Sequence, residues 1–111
     1  MDENVTRIGV IDDYPIFRDG VVYTLSQESD FRVVGEGESA ADAVRICDGS
    51  DPHVMLIAIS TPRDRITAVS EIRERHPKVG VIVLTDESTF DFFGVQRPGR
   101  VFFLKVTGDL W

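Results

Sequence analysis

Polar residues that suit phosphoryl transfer stand at the ends of several apolar runs in this sequence. Asp12 and Asp13 end the first run, Thr85 ends the fourth and Lys105 ends the fifth. Paired carboxylates hold Mg²⁺ through hard oxygen ligands, while a lysine and a hydroxyl can bind phosphoryl oxygens. The set therefore predicts a phosphoryl-transfer pocket. A further carboxylate on the third run would complete it, but Ala58 stands there with a methyl group.

Five apolar, β-branched runs predict the strands that would carry these residues. Helical patterns lie between the runs, which cover residues 6–11, 31–37, 54–59, 79–85 and 101–105. Strand–helix alternation predicts an α/β fold, a doubly wound five-stranded parallel sheet with helices on both faces. Functional sites in such sheets form beyond the carboxyl ends of the strands. The polar residues named above are therefore expected to converge at one edge of the sheet.

Local signals indicate where the helices begin and which faces they bury. Pro15 suits a first helical turn, and Ser39 suits an N-cap. The third helix carries a weaker apolar stripe made of Ile66, Val69 and Ile72. These signals predict helices that start near residues 15 and 40 and a third that ends near residue 76.

Composition limits the class of protein. The 111 residues suffice for one domain, residues 1–111, and the net charge of -7 disfavours binding of nucleic acid by this segment alone. The single cysteine, Cys47, excludes an intrachain disulfide; it is interpreted as a core residue, and His53 and His76 as structural. No signal peptide or membrane-length apolar run is present, so a cytoplasmic domain is expected.

Several blocks of the sequence together resemble the receiver domain of bacterial response regulators, in the NarL/FixJ (LuxR-type) family of transcription factors. The blocks are VIDDYPIFRDGV (10–21), DFRVVGEGESAADAV (30–44), DPHVMLIAISTP (51–62), EIRERHPKVGVIVLT (71–85) and FFLK (102–105). The resemblance implies a flavodoxin-like sheet with strand order 2-1-3-4-5. It also implies a place in a two-component phosphorelay that regulates transcription.

The resemblance assigns roles by position. Asp12 and Asp13 match the metal-binding pair, and Ala58 falls on the phosphoacceptor aspartate. The remaining matches are the switch hydroxyl at Thr85, the switch aromatic at Phe102 and the phosphate-sensing lysine at Lys105. Because alanine has no nucleophilic atom, an aspartyl phosphate cannot form at residue 58. The expected function is that of a regulatory pseudo-receiver, not an enzyme.

Other departures fall in regions that rearrange on phosphorylation in the family. The segment 61–66 is one residue short, and the fourth-helix region is about two residues short and contains Pro98. These departures favour natural degeneration over an engineered substitution. With one carboxylate lost, no cofactor is expected and any Mg²⁺ binding should be weak. Lys105 is then expected to bridge to Asp12 and Asp13 in place of the metal.

The expected partners follow from the same resemblance. Control would come from homodimerisation, a histidine kinase or another partner, or a small-molecule ligand, with no membrane contact. DNA would be bound only through a C-terminal helix-turn-helix that is absent from these residues. The last helix of the receiver is expected to be truncated or missing, so the sequence is interpreted as a fragment.

Two alternatives remain open at this point. The first is an ordinary phosphorelay receiver that carries an engineered Asp→Ala at residue 58, or whose phosphate moves to Ser60. The second is a flavodoxin-like protein that binds a small ligand. Five phenylalanines, which otherwise form part of the core, would in that case line an apolar ligand pocket or a partner surface; they are at 90, 92, 93, 102 and 103.

Overall fold

The computed structural model describes residues 4–85 and 101–105, with the backbone alone for Thr85 and for residues 101–105. The elements are β1 (Thr6–Asp12), α1 (Pro15–Ser26), β2 (Phe31–Gly37), α2 (Ala40–Ser50), β3 (Val54–Ala58), α3 (Pro62–Arg75), β4 (Gly80–Thr85) and β5 (Val101–Lys105). The five predicted strands are confirmed, with ends that differ by one residue at most. The predictions for the fourth helix, the last helix and Phe90, Phe92 and Phe93 lie outside the described residues.

The strands form one parallel sheet in the order β2-β1-β3-β4-β5, which confirms the predicted topology. Right-handed crossovers place α1 on one face, and α2 and α3 on the other, because the chain reverses direction across the sheet after β2. In agreement, α2 packs against α3, while α1 packs against β1 and β2. This arrangement brings the carboxyl ends of β1 and β3 next to each other.

The main core lies between the sheet and the α2–α3 layer. Its fully buried members include Ile11, Met55, Ile57 and Ile72, and Cys47 is 3% exposed. The core position predicted for Cys47 is confirmed. Close packing is maintained by small residues of β1 and β2: a Cβ at Gly35 would lie 2.9 Å from Ile46. Since interiors are close-packed, this contact leaves no room for a side chain.

The helix starts agree with the sequence signals. Pro15 occupies the first turn of α1, and the Ser39 hydroxyl accepts a hydrogen bond from the Asp42 amide at 3.2 Å as the α2 N-cap. His76 follows the last turn of α3 as its C-cap. Within the described residues, no helix is long and apolar enough to cross a membrane.

The buried face of α3 differs from the predicted stripe. Val69 and Ile72 are buried as expected, but Ile66 is 48% exposed. Its place on the inner face is taken by Arg65, which is 6% exposed. The prediction for Ile66 is wrong because Arg65, four residues before Val69 and seven before Ile72, shares their helical face more closely.

Candidate functional site

The site is built at the carboxyl ends of β1 and β3. Asp12, the last residue of β1, is the register partner of Ala58, the last residue of β3. Register partners in a parallel pair stand on the same face of the sheet, and neighbouring strands lie about 4.8 Å apart. The methyl group of Ala58 therefore stands beside the Asp12 carboxylate, at the position where the resemblance implies an acceptor aspartate.

Asp12 is buried and held by the start of α1. Its side chain is 3% exposed, and its Oδ1 accepts a hydrogen bond from the Tyr14 amide at 2.8 Å. Burial raises the pKa of Asp12, and the nearby charge of Asp13 raises it further, against the opposing effects of the Tyr14 amide and Arg18. Ionising Asp12 in this buried position therefore costs free energy, and carboxylates with a perturbed pKa are common at functional sites.

Arg18 fixes the backbone behind Asp12. Its Nη1 donates a hydrogen bond to the Asp12 carbonyl at 2.8 Å, and its Nε lies 3.6 Å from a carboxylate oxygen of Glu36. One side chain of α1 thereby contacts both β1 and β2 at their carboxyl ends. Sequence reasoning did not identify Arg18; its position one helical turn after Tyr14 was the available signal.

Asp13 is bound by Ser60, which follows β3. The Ser60 hydroxyl donates to Oδ2 of Asp13 at 2.6 Å, and the Ser60 amide lies 3.3 and 3.2 Å from Oδ1 and Oδ2. The structure thus brings together four of the predicted residues, Asp12, Asp13, Ala58 and Ser60. The direct bond between Asp13 and Ser60 was not predicted, because nothing in the sequence indicates a contact across 47 positions.

A second residue that sequence reasoning missed supports the segment between β3 and α3. Arg65 donates from Nε to the Ile59 carbonyl at 3.0 Å and from Nη2 to the Ser60 carbonyl at 3.1 Å. A buried arginine is rare unless its charge is satisfied by such partners. Its helical spacing to Val69 and Ile72 was a signal that could have identified it.

Thr85 and Lys105 end the neighbouring strands and are register partners of each other. Their backbones therefore lie side by side at the same edge of the sheet as Asp12 and Ala58. Phe102 is the register partner of Ile82, further back along the strands. The roles of the Thr85, Phe102 and Lys105 side chains, including the predicted bridge from Lys105 to the acidic pair, stay predictions.

The remaining candidates for chemistry have structural contacts away from this edge. His53 Nδ1 accepts a hydrogen bond from the Arg7 amide at 2.9 Å. His76 Nε2 lies 2.6 Å from Asp48 Oδ1. Burial raises the pKa of the Cys47 thiol to about 11, and the charge of Asp48 adds to this.

The donor set fits a magnesium ion poorly. Among the described residues, no three or more His, Cys, Asp and Glu side chains are grouped so that they could hold a metal ion. Asp12 and Asp13 offer two carboxylates, Ala58 offers none, and both oxygens of Asp13 already face Ser60. Mg²⁺ prefers near-octahedral oxygen coordination, and the described side chains supply only part of it.

Comparison with known proteins identifies the family. The model of the response regulator receiver domain matches residues 8–96. The transcriptional regulatory protein DegU of Brevibacillus brevis is 37% identical over 92 residues, which are 79% of this chain and 39% of that protein. The probable transcriptional regulatory protein NarL of Mycobacterium tuberculosis is 30% identical over 102 residues, 89% of this chain and 47% of that protein.

Solved structures agree with this assignment. The receiver domain of Mycobacterium tuberculosis NarL superposes with a TM-score of 0.70 at 29% identity, over 78% of this chain and 70% of that chain. Salmonella enterica RcsB, bound to promoter rprA in the presence of the phosphomimetic BeF3-, gives 0.67 at 31% identity, over 74% of this chain and 43% of that chain.

The length of the matched region sets the scope of the assignment. The chain spans between 39% and 50% of the length of the first curated relatives. Those relatives are described as transcriptional regulatory proteins. The chain belongs to the response regulator receiver domain family, and its homologues are transcriptional response regulators of the NarL/LuxR type.

Proposed function

We propose that this chain is a pseudo-receiver that controls a transcriptional regulator without aspartyl phosphorylation. The observation that carries the proposal is Ala58, paired in register with Asp12 at the end of β3. Its side chain has no oxygen to attack a phosphoryl group. The chain would then not act as an enzyme on a phosphodonor, and any Mg²⁺ binding would be weak.

The wider role rests on the relatives. DegU and NarL are transcriptional regulatory proteins, and RcsB has been solved on promoter DNA. By analogy, this domain would act on DNA only through a further, C-terminal domain of a longer protein, in the cytoplasm. Homodimerisation, a partner such as a histidine kinase, or a small ligand would take the place of phosphate as the signal.

The decisive experiment measures phosphorylation directly. The protein and its Ala58→Asp and Ala58→Asn variants are incubated with Mg²⁺ and acetyl phosphate, and intact masses are recorded. We expect no added phosphate on the wild-type protein or on Ala58→Asn, which has the shape of aspartate but lacks its nucleophilic oxygen pair. A mass gain of one phosphate on the wild-type protein would contradict the proposal, and peptide mapping would show whether Ser60 carries it.

The Ala58→Asp variant distinguishes a pocket that lacks only its acceptor from a pocket that is also impaired elsewhere. If it gains phosphate, the rest of the pocket is competent, as for an ordinary phosphorelay receiver that carries an Asp→Ala substitution. If it gains none, the departures in the segment after β3 have also impaired the pocket. Sedimentation analysis of the same samples tests the expected homodimer.

A further inference from the structure

The carboxylate of Asp13 is already bound inside the protein. Two donors of one residue face it: the Ser60 hydroxyl at 2.6 Å from Oδ2, and the Ser60 amide at 3.2 Å from the same oxygen. The hydroxyl distance is in the range of a charge-assisted O–H···O⁻ hydrogen bond, which is stronger than a neutral one. Ser60 thus stabilises the negative charge of the Asp13 carboxylate, as a bound cation would otherwise do.

Arg65 holds Ser60 in the position that this contact needs. Its guanidinium binds the carbonyls of Ile59 and Ser60, so the peptide group that contains the Ser60 amide and the peptide group that follows it are both anchored. Because Arg65 is almost fully buried and its guanidinium geometry is rigid, the anchor has little freedom to shift. The segment that leads from β3 into α3 is therefore tied to β1 through Ser60 and to α3 through Arg65.

A divalent cation would have to compete with these contacts. A cation bound through Asp13 would share oxygens that already accept from the Ser60 hydroxyl and amide, while Oδ1 of Asp12 accepts from the Tyr14 amide. Ala58 adds no oxygen in return. The residues present are arranged to satisfy one another and do not form an open ligand set.

We propose that Ser60, anchored by Arg65, binds the Asp13 carboxylate in an internal contact, here called the clasp. The clasp closes the pocket at the carboxyl ends of β1 and β3 and competes with divalent cations for Asp13. This inference rests on the proposed function, since it explains how a receiver without its acceptor stays in one arrangement. The clasp takes the place of metal binding and holds the segment after β3 independently of any phosphodonor.

Hydrogen exchange tests the clasp without a metal. The Ser60 amide of the wild-type protein is expected to exchange at least tenfold more slowly than in an Asp13→Ala variant, which removes the acceptor. An exchange rate of the Ser60 amide that is the same in the two proteins would overturn the proposal.

Cation binding tests the competition. Mn²⁺, which prefers oxygen ligands and broadens nearby NMR signals, is titrated while the Asp13 amide signal is followed. The Ser60→Ala variant removes the hydroxyl donor and is expected to bind Mn²⁺ about tenfold more tightly than the wild-type protein, because the ion no longer competes with a hydrogen bond to a charged group. Ser70→Ala, the same change at an exposed position of α3, is expected to bind as the wild-type protein does. Equal binding by all three proteins would overturn the proposal.

The two proposals fail separately. The proposed function fails if the wild-type protein gains phosphate, whatever the Mn²⁺ affinity. The clasp fails if Ser60 exchange or Mn²⁺ binding is insensitive to the substitutions, even when no phosphate is gained.

Discussion

Replacing Arg65 with methionine should destabilise the domain substantially, since Arg65 anchors the segment between β3 and α3. Methionine keeps an unbranched apolar stem but removes the donors to the Ile59 and Ser60 carbonyls. A buried hydrogen bond to a charged group contributes about 1.5–3 kcal/mol. The hydrogen bond to the Ser60 carbonyl contributes at the low end of this range, because Ser60 is exposed. Removing the buried charge of Arg65 offsets part of the lost stability. We expect a net decrease of about 2 kcal/mol in the free energy of unfolding.

Urea unfolding followed by circular dichroism measures this change. With a slope of about 1–2 kcal/mol per molar urea, the midpoint should fall by about 1–2 M without a change in slope. Arg63→Met is the matched control: it makes the same change in the first turn of the same helix, at an exposed side chain, and should stay within about 0.5 kcal/mol of the wild-type value. A stability of Arg65→Met within that same margin would refute the anchoring role.

Three further predictions follow from the titratable groups. Burial raises the pKa of Asp12 above its ordinary value of 3.8, so its contribution to stability is present below pH 3.8 and is lost as the pH rises through the folded pKa. Asp12→Asn should therefore raise the urea midpoint at pH 7, and the gain should shrink toward pH 4; no gain at pH 7 would contradict the assignment. The pKa of Asp48 is shifted in the opposite direction: its hydrogen bond with His76, followed by the charge of Arg75, lowers the pKa. Its stabilisation is present above pH 3.8 and is lost as the pH falls through the folded pKa, so Asp48→Asn should lower the midpoint at pH 7 and approach the wild-type value in acid; a deficit that is the same at every pH would point to another cause. Cys47 is buried with a pKa raised to about 11, so the native protein at pH 8 should react with a disulfide reagent only as fast as it unfolds; immediate reaction without urea would show that the thiol is accessible.

The fold was predictable because its signals are local. A strand such as β3 reads as a short apolar, β-branched run between turn residues, and Ser39 indicates a helix start through chemistry that involves only its own neighbours. The convergence of Asp12 and Ala58 was also predictable, since parallel strands present their carboxyl ends at one edge. These predictions needed periodicity and connection rules alone.

The face of α3 illustrates where such rules fail. The spacing of Ile66, Val69 and Ile72 indicated one inner stripe, but Arg65 is buried and Ile66 is largely exposed. Hydrophobicity favours the isoleucine for the interior. The carbonyls of Ile59 and Ser60, which end up facing the helix, favour the arginine because they would otherwise lack these charged donors.

The amino-acid sequence by itself determined the strands and the absence of an acceptor oxygen in the side chain of Ala58, while the strand order was implied by the family resemblance. Only the tertiary structure decided what the remaining pocket residues do with one another. Ser60 binds Asp13 across 47 positions of the chain, and the contact exists because β1 and β3 are adjacent in the sheet and Arg65 holds the segment after β3 in place. Such a contact depends on distances of a few tenths of an ångström between distant segments, which residue types and their spacing do not specify.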